Sequence, residues 1–430
     1  MDIRARQNVL PTSLPGAPRD TVPYIRMARS RAQRVIDPVT EFLRTEASGG
    51  LLLLAASIVA MAWINSPVGD GYTDLWEAEL TVGFGDLSIT EDLRHWVNDG
   101  LMAIFFFVIS LEIKREMIVG DLRHPRAAAL PILAALGGVV LPAAIFIAIT
   151  AGTGAGEGWG IPMATDAAFA IGVLTLLGDR VSTGAKLFLV TIAVVDDVLA
   201  ILVIAVVYTA DLEPLWLVGA AAGLLVVAAM KRLQIPSPLA YVLPALVVWV
   251  ATLESGVHPT IAGVALGLMT PAGAVRGRMV LEELEHRIHP FTSNLVLPVF
   301  ALANAGVVLG GSALGTDSEV RVAAAVAVGL IVGKLVGISA MTWAAVRTGL
   351  GRLPEGVGGR TALGVAALGG VGFTVSLFIA PLAYPDAGLA DSAKIGVLSG
   401  SIVSALIGVA ILAGAPGRPS ARERDAPEPS

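Results

Sequence analysis

Between residues 46 and 414, charged residues, glycines and prolines cut the chain into apolar stretches, most of them near twenty residues long. A helix rises 1.5 Å per residue and a hydrocarbon layer is about 30 Å thick, so roughly twenty apolar residues cross it. Lipid offers the backbone no hydrogen bonds, which forces each crossing segment to be helical. The pattern predicts an all-α polytopic membrane protein of about twelve transmembrane helices. The expected spans are 49–65, 94–114, 127–150, 159–178, 183–208, 214–230, 238–253, 257–271, 290–310, 321–346, 360–382 and 392–414. Charged residues make up only 15% of the chain, against about 25% in soluble domains. With no cysteine, disulfides, thiolate metal sites and cysteine nucleophiles are excluded.

The distribution of positive charge tests this partition. With both termini on the cytoplasmic side, 25 of the 29 Lys and Arg residues fall inside, only Arg94, Arg321 and Lys394 outside, and Lys334 within a span. The expected organisation is a cytoplasmic tail over 1–45, a transporter domain over 46–414 and a cytoplasmic tail over 415–430. The first tail has eight arginines and no apolar core, unlike a cleavable signal peptide. It gives a basis for attraction to anionic lipid. Both tails are expected to lack fixed structure.

The first outer loop, 66–93, contains seven acidic residues and no Lys or Arg. Within it ELTVGFGDLSIT alternates apolar and polar residues on both sides of Gly85-Asp86. This predicts a small extracytoplasmic β-hairpin over 79–91, with a plain loop as the alternative. The unpaired edge of such a hairpin could join a second copy of the chain.

From Leu187 to Tyr208, Asp196 and Asp197 are the only charged residues. A charge at the centre of a membrane helix costs roughly 2.5–3.5 kcal/mol, so ionisable residues there are functional candidates. The others are Asp166, Lys334 and Asp99, the last near the outer end of its span. For each, a structural ion pair between helices is the alternative. Neighbouring helix positions point about 100° apart, so Asp196 and Asp197 cannot face one partner equally. Lys334 is too deep to reach either surface and needs a counter-ion, most economically one of these aspartates. A hard cation such as Na⁺ would compete with protons for the same oxygens. A site that holds one or the other, never both, is the core of an exchanger.

Two spans read as interrupted. One carries Pro162, Thr165 and Asp166; the other carries glycines at 364, 369, 370 and 372. Broken helices expose partial charges at membrane depth, which Asp166 and Lys334 have the signs to neutralise. Close packing through small residues is the alternative for the glycines. Spans 127–208 and 321–414 form two triplets, each with an interrupted middle member and opposite orientation. That is the pattern of inverted-topology repeats.

The motifs NDGLMAIFFFVISLEIKRE, PMATDAAFAIG, TIAVVDDVLAIL, LEHRIHP, LPVFALANAG, GKLVGIS and LPEGVGG followed by GFTVSLFIA resemble the NhaA family of sodium/proton antiporters. The resemblance runs from Ala47 to Leu412. It implies that Asp197 is the main carrier of ion and proton, with Asp196 beside it and engaged with Lys334. It implies that Asp166 and Lys334 balance two crossed, discontinuous helices, that Thr165 lies near the ion path, and that Asp99 lines its outer part. Glu112, Glu116, Glu285, His286 and His289 match a cytoplasmic cluster linked to pH response, and His258 a further histidine linked to it. The implied function is electrogenic exchange of cytoplasmic Na⁺ or Li⁺ for external H⁺, activated at alkaline pH. The setting would be a bacterial inner membrane, with membrane lipid and a second copy at the hairpin as partners. No cofactor and no nucleic acid are expected; Na⁺, Li⁺ and H⁺ are cargo.

The same residues admit two rival readings. GFGD at 83–86 resembles a motif of intramembrane aspartyl proteases, but a hairpin turn explains it better. A Na⁺-coupled symporter of an organic anion would need a central cation, and Lys334 is expected to be paired.

Overall fold

The computed structural model describes residues 31–84, 87–209, 212–310 and 314–414, and the side chains from Ser48 onward, those of Phe84, Leu87, Asp121 and Asp179 excepted. The chain divides into two units, 1–41 and 42–430. The described part of the first is helical. The second is built almost entirely of helices, with two small antiparallel hairpins.

In order, the elements are α1 (Arg31–Ile64), α2 (Asp70–Trp76), β1 (Glu79–Phe84), β2 (Leu87–Asp92), α3 (Leu93–Ile118) and α4 (Pro125–Ile149). A 3₁₀ segment, Gly156–Met163, leads to α5 (Ala167–Leu176), then α6 (Thr183–Val207), α7 (Pro214–Arg232), α8 (Leu239–Leu253) and α9 (Thr260–Met269). After β3 (Ala274–Val275) and β4 (Arg278–Met279) come α10 (Val280–Phe291), a π-turn (Thr292–Val296) and α11 (Leu297–Asn304). The rest are α12 (Asp317–Arg347), α13 (Gly359–Leu368), α14 (Phe373–Ala383) and α15 (Ala387–Ala413).

Six of these, α3, α4, α6, α7, α12 and α15, are long and apolar enough to cross a membrane. Two bent pairs pass the same test together: the 3₁₀ segment with α5, bent by 41°, and α13 with α14, bent by 42°. Three apolar helices, Ser48–Ile64, α8 and α9, are shorter. Large apolar side chains on the outside, such as Val206 and Leu215, are 77% and 80% exposed, as a lipid-facing surface requires.

The ends follow ordinary capping rules. Ser182 accepts from the Ala185 amide at the start of α6, Asp386 from Leu389 at the start of α15, and Thr316 with Glu319 forms a capping box on α12. The strands β1 and β2 pair from Glu79↔Asp92 to Phe84↔Leu87. Thr81 and Thr90 share a cross-strand hydrogen bond of 2.8 Å. The Gly85-Asp86 turn expected to join them lies outside the described residues, as do residues 1–30 and the 415–430 tail. The sequence reading missed α2 and the β3–β4 hairpin, whose Arg276-Gly277 turn takes φ values of 48° and 84°. Three π-turns also interrupt helices, at Trp96–Leu101, Thr292–Val296 and Gly329–Gly333.

Small residues bring the helices close. In α12, Gly337 lies against Gly137 of α4, and Gly329 and Gly333 seat on Pro162 and Pro142. In α9, Gly263 and Gly267 lie on the carbonyls of Ala103 and Phe107 in α3, a G-x-x-x-G approach of backbone to backbone.

Candidate functional site

The two bent pairs meet where their helical order breaks, at 164–166 and 369–372. The Asp166 amide donates to the Val371 carbonyl (2.6 Å). Gly372 donates its amide to Ser401, and Ser376 donates to Ile161 (2.6 Å). A Cβ at Gly370 would collide with the Leu330 carbonyl, so α12 approaches this break through a glycine.

Asp166 serves both breaks. Its Oδ1 accepts from the Phe169 amide at the start of α5 (2.9 Å), and its Oδ2 from the Thr374 amide at the start of α14 (3.0 Å). One carboxylate thus caps two helix N-termini, where backbone dipoles favour negative charge.

Lys334, placed by the π-turn that ends at Gly333, is fully buried. Its ammonium reaches Asp196 Oδ2 (2.5 Å) and Thr165 Oγ1 (3.0 Å). Thr165 Oγ1 lies 2.6 Å from the same Asp196 oxygen and 2.8 Å from the Gly369 carbonyl. The hydroxyl accepts from Lys334 and has one proton to give to either oxygen. Lys334 therefore meets the C-terminal end of α13 through Thr165 rather than directly.

Asp196 is 0% exposed and Asp197, the next residue on α6, 8%. The helix turn between them separates their surroundings, as expected. Asp196 faces Lys334, while Asp197 lines a cavity of about 50 Å³ together with Thr165, Asp166, Glu112 and His289. That volume holds a few water-sized particles. Among the described residues no hydrogen bond or ion pair reaches the Asp197 carboxylate.

The residues expected on the cytoplasmic side divide. Arg115 forms an ion pair with Glu285 and lies 3.7 Å from Glu116 and 3.9 Å from Glu112. His289, buried, lines the cavity beside Asp197, whereas His286, one turn earlier on α10, is exposed. Burial raises the Glu285 carboxyl above its ordinary range, with Arg115 opposing. Arg115 was missed in the sequence; its signal is its place in EIKRE, between Glu112 and Glu116.

At the other end, Asp99 and His258, given separate roles from sequence, come together at 3.5 Å. The His258 Nδ1 lies 2.9 Å from Thr260 Oγ1.

The arrangement has relatives. The family model for Na⁺/H⁺ antiporter 1 matches residues 40–412. The chain belongs to the Na⁺/H⁺ antiporter 1 family. It is 44% identical to the Na⁺/H⁺ antiporter NhaA 2 of Erythrobacter litoralis, over 89% of this chain and 96% of that protein. It is 46% identical to the NhaA antiporter of Nocardia farcinica, over 88% and 91% of the two chains, and 45% identical to an NhaA 2 antiporter of Pseudomonas syringae, over 89% and 97%. As a member of this family the chain is a multi-pass secondary transporter and not an enzyme.

Proposed function

We propose that this protein exchanges cytoplasmic Na⁺, or Li⁺, for external H⁺ across a bacterial inner membrane. The observation that carries the reading is the unequal environment of the two adjacent aspartates. Asp196 is held by Lys334, and Asp197 opens onto a small cavity that Thr165, Asp166, Glu112 and His289 also line. Anionic carboxylates suit a hard cation, and protonation of the same oxygens releases it. Asp197 is the carrier; Asp196 takes a proton when Lys334 leaves it. More protons than sodium charges then move per cycle, so exchange is electrogenic, and ion binding requires deprotonation, so activity rises with pH. The already paired Lys334 speaks against an organic-anion symporter.

In this reading twelve helical segments cross the membrane, both termini are cytoplasmic, and the β1–β2 hairpin carries a dimer contact. The two bends of 41° and 42°, each the middle of a triplet, support an inverted repeat. Rocking of the broken-helix region against α3 and its partners exposes the site to alternate sides.

Respiring inside-out vesicles with an acridine dye test the reading. NaCl should collapse the acid gradient at alkaline pH, and Asp197→Asn should be silent. A wild type indifferent to both Na⁺ and Li⁺ at every pH overturns it.

A further inference from the structure

Asp99 sits within a π-turn, Trp96–Leu101, near the outer end of α3. A π-turn has a wide, poorly bonded ring, and its side-chain directions depend on what holds it from outside. Two indoles hold this one. Trp249, on α8, donates its Nε1 hydrogen to the Asp99 carbonyl (2.9 Å). Its ring stacks on Trp96, with centroids 6.2 Å apart and planes at 26°. Trp96 in turn donates to the Leu80 carbonyl of β1 (2.9 Å). Asp99 is thus held through its backbone by α8, and its carboxylate lies 3.5 Å from Nε2 of His258, which precedes α9.

We propose that Trp249 is a positioning residue for ion exchange at the outer face, acting through the carbonyl of Asp99. The inference rests on the exchange reading and on Asp99 lining the outer route, and adds a residue that touches neither ion nor proton. Without the indole N–H, the carbonyl inside the π-turn loses its partner from α8. The turn can then relax toward a regular α-helix, which rotates the Asp99 carboxylate away from His258. The stack on Trp96 extends the restraint to β1, so hairpin, π-turn and α8 move as one body at the outer surface.

The test uses the full-length protein in acid-loaded right-side-out vesicles, with uptake of radioactive sodium read as a function of external Na⁺. Trp249→Phe keeps an aromatic ring against Trp96 and removes the N–H donor. It should raise the apparent KM for external Na⁺ about three- to tenfold, the worth of one neutral hydrogen bond. In inside-out vesicles the apparent KM for cytoplasmic Na⁺ should stay where it is. Asp99→Asn should raise the external KM as well, and the double variant should be no worse than Asp99→Asn alone, because both changes act through one group. Trp249→Tyr, also without the N–H, replaces the Phe variant if the latter does not reach the membrane. An unchanged external KM, effects that multiply in the double variant, or equal shifts at both faces overturn the proposal. A wild type silent at both faces overturns the exchange reading and this proposal with it; an active wild type with an indifferent Trp249→Phe overturns this proposal alone.

Discussion

The ammonium of Lys334 and Oδ2 of Asp196 lie 2.5 Å apart, and neither side chain has any exposed surface. Removing one partner of a buried pair leaves an uncompensated charge, at a cost of about 3–5 kcal/mol, whereas neutralising both together is often nearly free. Lys334→Ala should therefore lower the thermal stability of the detergent-solubilised protein far more than the double variant Asp196→Asn/Lys334→Gln. Equal losses in single and double variants would show that the pair contributes packing alone.

Asp166 links two helices that are 208 residues apart at the point of contact. Asn at this position keeps one acceptor oxygen and turns an NH₂ toward the second amide. Asp166→Asn should orphan one of the two N–H groups, costing about 1–3 kcal/mol, and should lose the favourable charge at both N-termini. Hydrogen exchange at the Phe169 and Thr374 amides reads this directly. Protection should fall at one amide or both, while the Ala185 amide, capped by Ser182, stays unchanged.

The apolar runs made the helices legible because lipid imposes one length and one backbone conformation on a crossing segment. Asp196 and Asp197 stood out for a related reason: charges in oil need an explanation. That Lys334 would pair with one of them followed from depth, but which one depends on helix rotation. The π-turn at Gly329–Gly333 alters that rotation, and an ordinary helical period gives no sign of it. Glu285 and Arg115 lie 170 residues apart, and no local pattern joins them. The Asp99–His258 contact was hidden in the same way. Helix α2, DGYTDLW, is too short and acidic to carry a periodic signal.

Gly263 lets α9 lie on α3. A Cβ there would run into the Ala103 carbonyl, and backbone cannot yield as a side chain can. Gly263→Val should force the helices apart and cost about 1–3 kcal/mol. Gly219 on α7 is the control, since its Cβ would meet only Ala251 at 3.7 Å. Gly219→Ala should be neutral or stabilise by up to about 1 kcal/mol. Thermal unfolding of the two variants in one detergent checks the difference in sign.

Glu285 supplies a pH dependence with a defined sign. It is 6% exposed on α10 and faces Arg115, His289 and Glu116. Burial, the larger effect, raises its carboxyl above the ordinary glutamate range, while Arg115 and His289 pull it down and Glu116 adds to the rise. A raised carboxyl means that the folded state favours the protonated form. Its contribution to stability is then complete below the ordinary value of about 4.3, and is lost as pH rises through the raised value. The hold of α10 on α3 should loosen over that interval. Glu285→Gln, which stays neutral, should flatten the pH dependence of thermal unfolding above the ordinary glutamate value of about 4.3. Arg115→Gln removes the opposing cation and should push the Glu285 transition to higher pH. If this cluster feeds the pH response of exchange, the onset of activity should move upward with it in Arg115→Gln. If wild type and Glu285→Gln instead unfold with the same pH slope, the titrating group lies elsewhere.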